Sequence, residues 1–104
     1  VGHEEYESAS ELFRTLSAPL RLAIIDRLTA GPAAVHDLVA ASGESQPLIS
    51  QHLRVLRAAK LIRVRNRGRE RVYSLTDEHV AHIVADAIRH TSEPGSDHEE
   101  ETVA

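Results

Sequence analysis

The apolar residues of this chain change their spacing twice, and the change limits the folds open to it. Up to residue 56 they recur at helical intervals, from 61 to 75 they follow a strand-like pattern, and from 80 to 88 they return to helical spacing. Leu20, Ile24, Ile25 and Leu28 form the stripe of a buried helix that opens near Pro19 behind a Ser17 cap and stops at Gly31-Pro32. Leu12, Phe13 and Leu16 place another helix before it, over 8–16. Residues 33–41 read as a short helix with Val35, Leu38 and Val39 inward, ended by Ser42-Gly43. Ser45 caps a longer helix to about residue 59, whose seam is Ile49, Leu53 and Leu56. Strands over 62–65 and 70–74 then flank the turn Asn66-Arg67-Gly68-Arg69. Thr76 caps a last helix, about 77–91, with Val80, Ile83, Val84, Ala87 and Ile88 on its apolar face.

The order α-α-α-α-β-β-α predicts a mainly helical domain with one small hairpin. A helix-turn-helix followed by a basic hairpin is a winged helix-turn-helix. With 104 residues, 41% hydrophobic and 27% charged, one domain is expected over 8–93, with an N-terminal arm over 1–7 and a flexible acidic tail over 94–104. So small a core leaves much apolar surface to cover, which favours a homodimer. No apolar run reaches the roughly 20 residues of a membrane span and no secretory signal pattern opens the sequence, so no membrane partner and a cytoplasmic location are expected. With no cysteine, disulfides and thiolate metal sites are excluded, and any metal must be held by nitrogen and oxygen.

The formal net charge of −4 conceals a segregation of sign. Residues 46–73 hold Arg54, Arg57, Lys60, Arg63, Arg65, Arg67, Arg69 and Arg71 against a single acid, Glu70, so this stretch carries +7 and the remainder −11. Ordinary surfaces intersperse the signs, whereas a basic block in an acidic protein marks a surface for a polyanion. On the helix after Ser45, Gln46, Ser50, Gln51 and Arg54 lie together opposite the apolar seam and can reach base edges in a major groove. His52 either contacts a phosphate or packs at the turn. Arg65, Arg67 and Arg69 of the hairpin are expected on phosphates or in the minor groove. A dimer with this surface calls for double-stranded operator DNA with an inverted repeat.

A second row runs along the last helix: His79, His82, Asp86, His90 and Glu93, at spacings that share a face. The row reads equally as a solvated face and as a set of metal ligands. His79 and His90 stand roughly 16 Å apart along one helix, so one helix cannot bring both to one ion. Two such helices, antiparallel across a two-fold axis, would place Asp77 and His79 of one chain beside His90 and Glu93 of the other, twice over. Two imidazoles and two carboxylates suit tetrahedral Zn(II) or Co(II).

The reading helix Ser45-Gln46-Pro47-Leu48-Ile49-Ser50-Gln51-His52-Leu53-Arg54-Val55-Leu56, the strand Arg71-Val72-Tyr73-Ser74-Leu75, and the D-x-H-x10-H-x2-E spacing of Asp77, His79, His90 and Glu93 together resemble the ArsR/SmtB family of metal-sensing repressors. The resemblance covers about 8–93. It implies that Asp77, His79, His90 and Glu93 bind zinc between subunits and that zinc releases a metal-free dimer from its operator. It further implies a hydrogen bond from metal-bound His90 toward the backbone carbonyl near Lys60. The family's thiolate site is absent, since the matching stretch reads Ala34-Val35-His36-Asp37. His36 is read as ordinary surface and His82 as a neighbour of the ligands rather than a fifth one. His3 after Gly2 is similar to the N-terminal element of nickel-sensing relatives, and His98 lies in the tail; either would extend the set toward Ni(II) or Co(II). Two other readings remain open: a metal-independent winged-helix repressor, and a small zinc hydrolase, against which four protein ligands and the lack of a pocket-forming segment both count.

Overall fold

The computed structural model describes residues 2–94; Val1 and the tail beyond Pro94, with His98, lie outside the described residues. Eight elements follow in the order α1 (His3–Leu16), α2 (Pro19–Leu28), β1 (Ala33–Ala34), α3 (Val35–Ser42), α4 (Gln46–Ala58), β2 (Ile62–Arg67), β3 (Glu70–Leu75) and α5 (Glu78–Ser92). Helix α1 begins at His3 rather than at residue 8, so most of the expected arm is helical. Gly2 is its N-cap, and the Glu5 carboxylate returns to accept from the Gly2 amide at 3.2 Å, while Glu4 and Glu5 oppose the helix dipole.

The second departure is β1. Ala33 and Ala34 pair with Tyr73 and Val72 instead of starting a helix, making an antiparallel sheet of order β1-β3-β2. Helix α3 starts at Val35, two residues later than expected, where the Asp37 carboxylate accepts from the Ala34 amide at 3.0 Å. Gly43 then closes α3 at φ 75, in the left-handed region where a side chain is disfavoured, and the chain turns into α4. Ser45 caps α4 as expected, its hydroxyl accepting from the Leu48 amide.

The core sits where α2, α3, α4 and α5 converge on one face of the sheet. Ile25, Ile49, Leu53, Leu56 and Val84 are wholly enclosed there, with Leu16, Leu38, Ile62, Tyr73 and Val80 around them. Burying such side chains contributes about 1.5–3 kcal/mol each, which is what orients α4 with its polar face outward. Two parts of the expected apolar faces stay uncovered: Phe13 on α1 is 59% exposed and Ile88 on α5 37%.

Lys60 ends α4 with φ 64, a left-handed conformation that costs a non-glycine residue roughly 1–2 kcal/mol. It is held there from a distance: the Thr76 hydroxyl lies 3.0 Å from the Lys60 carbonyl and 3.1 Å from that of Leu61. Because its hydroxyl is engaged in this way, Thr76 does not cap α5. Asp77 does, accepting from the His79 amide at 2.8 Å.

Candidate nucleic-acid interface and metal-ligating helix

Helix α4 and strand β3 enclose a groove lined by Val35, Gln46, Ser50, Leu53, Arg54, Arg57, Arg71 and Tyr73. Positions 46, 50, 54 and 57 recur every three or four residues and so form one stripe along α4. Three guanidinium groups and no carboxylate line this groove, a charge pattern suited to a polyanion, with Gln46 and Ser50 chemically able to exchange hydrogen bonds with base edges. Of the residues expected to read DNA, the fold brings Gln46, Ser50 and Arg54 into this groove. Gln51 is exposed but does not line it. His52 turns to α2, where its Nδ1 stands 3.2 Å from Nη1 of Arg21, which also donates from Nε to the Thr15 carbonyl. A guanidinium carries only donors, so His52 accepts through Nδ1 and ties the reading helix to α1 and α2.

The register of the hairpin sorts its arginines. Arg63, Arg65 and Arg67 pair across the strands with Ser74, Val72 and Glu70, and directly paired residues share a face. Tyr73, next to Val72 in the chain, points to the core face, and Arg71, two residues from Tyr73, shares that side. Arg65 and Arg67 therefore lie on the face turned away from the groove, lining a shallow hollow with Pro32, Asn66, Val72 and Ser74. Arg69 stands at the tip, in a two-residue turn whose first central residue, Gly68, takes φ 64. Near that tip Glu70 approaches both Arg67, at 3.6 Å, and His36 of α3, at 3.7 Å; His36 is also 3.4 Å from Asp37. Arg57 and Arg71 were counted in the basic block but not singled out. The spacing of Arg57 after Arg54, and the period of two linking Arg71 to the buried Tyr73, were the available signals.

On α5 the expected ligands sit at opposite ends. Asp77 and His79 occupy its first turn, with His79 Nδ1 3.5 Å from Asp77 Oδ1. His90 and Glu93 occupy the other end, both exposed. Arg89 pairs with Asp86 and comes within 4.0 Å of Glu93 Oε2. Among the described residues, no three histidines or carboxylates of one chain gather closely enough to hold a metal ion. His82 lines a hollow with Arg63, Thr76, Asp77 and Glu78. His3 is the first residue of α1.

A helix-turn-helix whose second helix shares an arginine-lined groove with a β-hairpin defines a winged helix-turn-helix DNA-binding protein. Residues 18–64 match the model of the bacterial regulatory proteins of the arsR family. Over 90 residues the chain is 47% identical to the HTH-type transcriptional repressor SmtB of Mycobacterium tuberculosis, covering 86% of this chain and 67% of that protein. It is 42% identical over 88 residues to the HTH-type transcriptional regulator NmtR of the same species, covering 82% and 73%. The crystal structure of NolR from Sinorhizobium fredii superposes with a TM-score of 0.76 at 34% identity, over 86% of this chain and 89% of that one. The chain belongs to the ArsR family and is a transcriptional regulator, not an enzyme. No helix among the described residues is long and apolar enough to cross a membrane.

Proposed function

We propose that this chain is a metal-responsive repressor whose metal-free homodimer binds an inverted-repeat operator and lets it go when zinc binds between the two α5 helices. The observation that carries the reading is the arrangement on α5: one nitrogen and one oxygen donor at each end, all four exposed, on a helix that the single chain also leaves bare at Ala87 and Ile88. A second α5 packed antiparallel would bring the two ends together. The donor set fits the metal: Asp77, His79, His90 and Glu93 supply two imidazoles and two carboxylates, enough to close a tetrahedral sphere without cysteine. Bound there, zinc would supply a fixed cross-link between protomers and no reactive coordination position.

On the DNA side, Gln46, Ser50 and Arg54 enter the major groove, with Arg57 and Arg71 on the phosphates beside them. Arg65, Arg67 and Arg69 supply further phosphate contacts from the other face and the tip of the wing. His52 acts through Arg21 rather than on DNA, and Gln51 contacts DNA only at the margin of the site. Release follows if the metal-bound dimer holds the two reading helices at a spacing that no longer fits successive major grooves; zinc must then prefer the DNA-free form by the same free energy that it removes from DNA binding.

The test is operator binding by fluorescence anisotropy, titrated with Zn(II), Co(II) and Ni(II), for the native chain and a His79→Ala/His90→Ala variant. The expected result is release of the native chain by zinc and none for the variant. Equal release of both would remove the α5 site, and no release by any metal would leave a metal-independent repressor dimerised through α5. A response to Ni(II) or Co(II) alone would reassign the metal, with His3 as an additional donor to test.

A further inference from the structure

Thr76 commits all of its hydrogen-bonding groups to the segment that joins the reading helix to the wing. Its amide donates to the Leu61 carbonyl at 3.1 Å. Its hydroxyl lies within reach of both the Lys60 and Leu61 carbonyls, which share one proton. Its own carbonyl accepts from Arg63 Nη2 at 3.1 Å. Residues 60–63 are where α4 stops and β2 begins, and Lys60 is the one described non-glycine residue with a positive φ. The direction in which the wing leaves the reading helix therefore depends on a backbone turn that Thr76 grips on three sides.

One peptide bond away, Asp77 caps α5 and holds the His79 amide. We propose that Thr76 is the positioning residue that couples the start of α5 to the reading helix and wing of the same protomer. The inference rests on the proposed role of Asp77 and His79 as metal ligands. A ligand that fixes the Asp77 carboxylate and the His79 ring constrains the backbone at 77–79, and Thr76 passes that constraint to the Lys60 turn. The path is intramolecular, and it ends at the Lys60 turn, near which His90 was expected to reach a backbone carbonyl. A carbonyl has two lone pairs, so Thr76 occupies one and leaves one.

The experiment compares the native chain with Thr76→Val, which keeps the branched shape and loses the hydroxyl, and Thr76→Ser, which keeps the hydroxyl. Binding to a fluorescent duplex, selected by the native chain from random-sequence DNA, is measured with and without Zn(II), and zinc affinity is measured separately by chelator competition. The Val variant is expected to bind zinc and, without metal, the duplex within about threefold of native, while the factor by which zinc weakens DNA binding shrinks about tenfold; Ser restores it. A Val variant that keeps the native factor overturns the coupling role alone. A native chain that zinc does not release overturns the proposed function and this inference with it. Should the Val variant not fold, hydrogen exchange of the Thr76 amide in the native protein reads the same junction. A zinc-dependent change in its protection supports the role, and an unchanged rate overturns it.

Discussion

Arg65 and Arg71 stand on opposite faces of one hairpin, Arg65 across from Val72 on the outer side and Arg71 across from Asn66 on the side of the reading helix. Only Arg71 shares the groove with Gln46, Ser50, Arg54 and Arg57. A wing entering a groove in DNA presents one face to each bordering strand, so in the proposed binding mode the two sets of arginines would meet different phosphates.

The division makes a prediction about salt. Arg71→Ala should weaken duplex binding for every sequence tested and lower the slope of log affinity against log salt by about 1, the contribution of one neutralised phosphate. Arg65→Ala should lower it by about the same amount, and the double variant by about twice that, because the contacts are separate. Binding isotherms at four salt concentrations test this. A double variant no worse than either single one would mean that the two side chains serve a single phosphate.

A separate prediction concerns assembly. Phe13 and Ile88 are large apolar side chains left 59% and 37% exposed, on the first and last helices of the chain. Burying each in a dimer would contribute on the order of 1 kcal/mol. Ile88→Glu should weaken self-association by at least about tenfold, since a charged side chain would replace an apolar one in the interface. Sedimentation equilibrium measures this directly, and an unchanged dimer would move the interface off α5.

Much of this architecture was legible because burial imposes a period on the sequence. Ile49, Leu53 and Leu56 announced α4, and Val80 and Val84 announced α5, since a missing apolar residue there would open the core. Strand β1 was not legible: two alanines carry no alternation and favour helix locally, and only pairing with Val72 and Tyr73, far along the chain, makes them a strand. The cap of α5 failed to declare itself for a similar reason. Thr76 and Asp77 are both good N-caps, and the choice between them is made by the carbonyls of Lys60 and Leu61, sixteen and fifteen residues away. The donors of α5 were visible as a helical row, but their meeting depends on a second chain. The sorting of the wing arginines was present in the alternation around Tyr73 and required only that the register be carried through to Arg71.

The left-handed Lys60 offers a stability test. Lys60→Gly should remove the steric cost of φ 64, offset in part by the greater freedom of glycine in the unfolded chain, for a net stabilisation of about 0.5 kcal/mol. Urea unfolding at fixed protein concentration checks it. Destabilisation by 1 kcal/mol or more would instead show that the lysine side chain itself contributes to the turn.

Asp77 has two jobs in this account, and a single substitution can separate them. As N-cap of α5 its carboxylate accepts from the His79 amide, a contact whose loss to alanine costs about 1 kcal/mol. As a proposed ligand it also supplies an anionic oxygen to zinc, which a neutral hydroxyl replaces poorly. Asp77→Ser should therefore leave urea stability within about 0.5 kcal/mol of native while zinc affinity falls at least about tenfold. Asp77→Ala should lose both. Denaturation and chelator competition on the same preparations distinguish the cases. If Ser matches native in zinc affinity, Asp77 is a helix cap only and the metal has another oxygen donor; if Ser and Ala are equally destabilised, the cap depends on the carboxylate charge at the positive end of the helix rather than on its hydrogen bond.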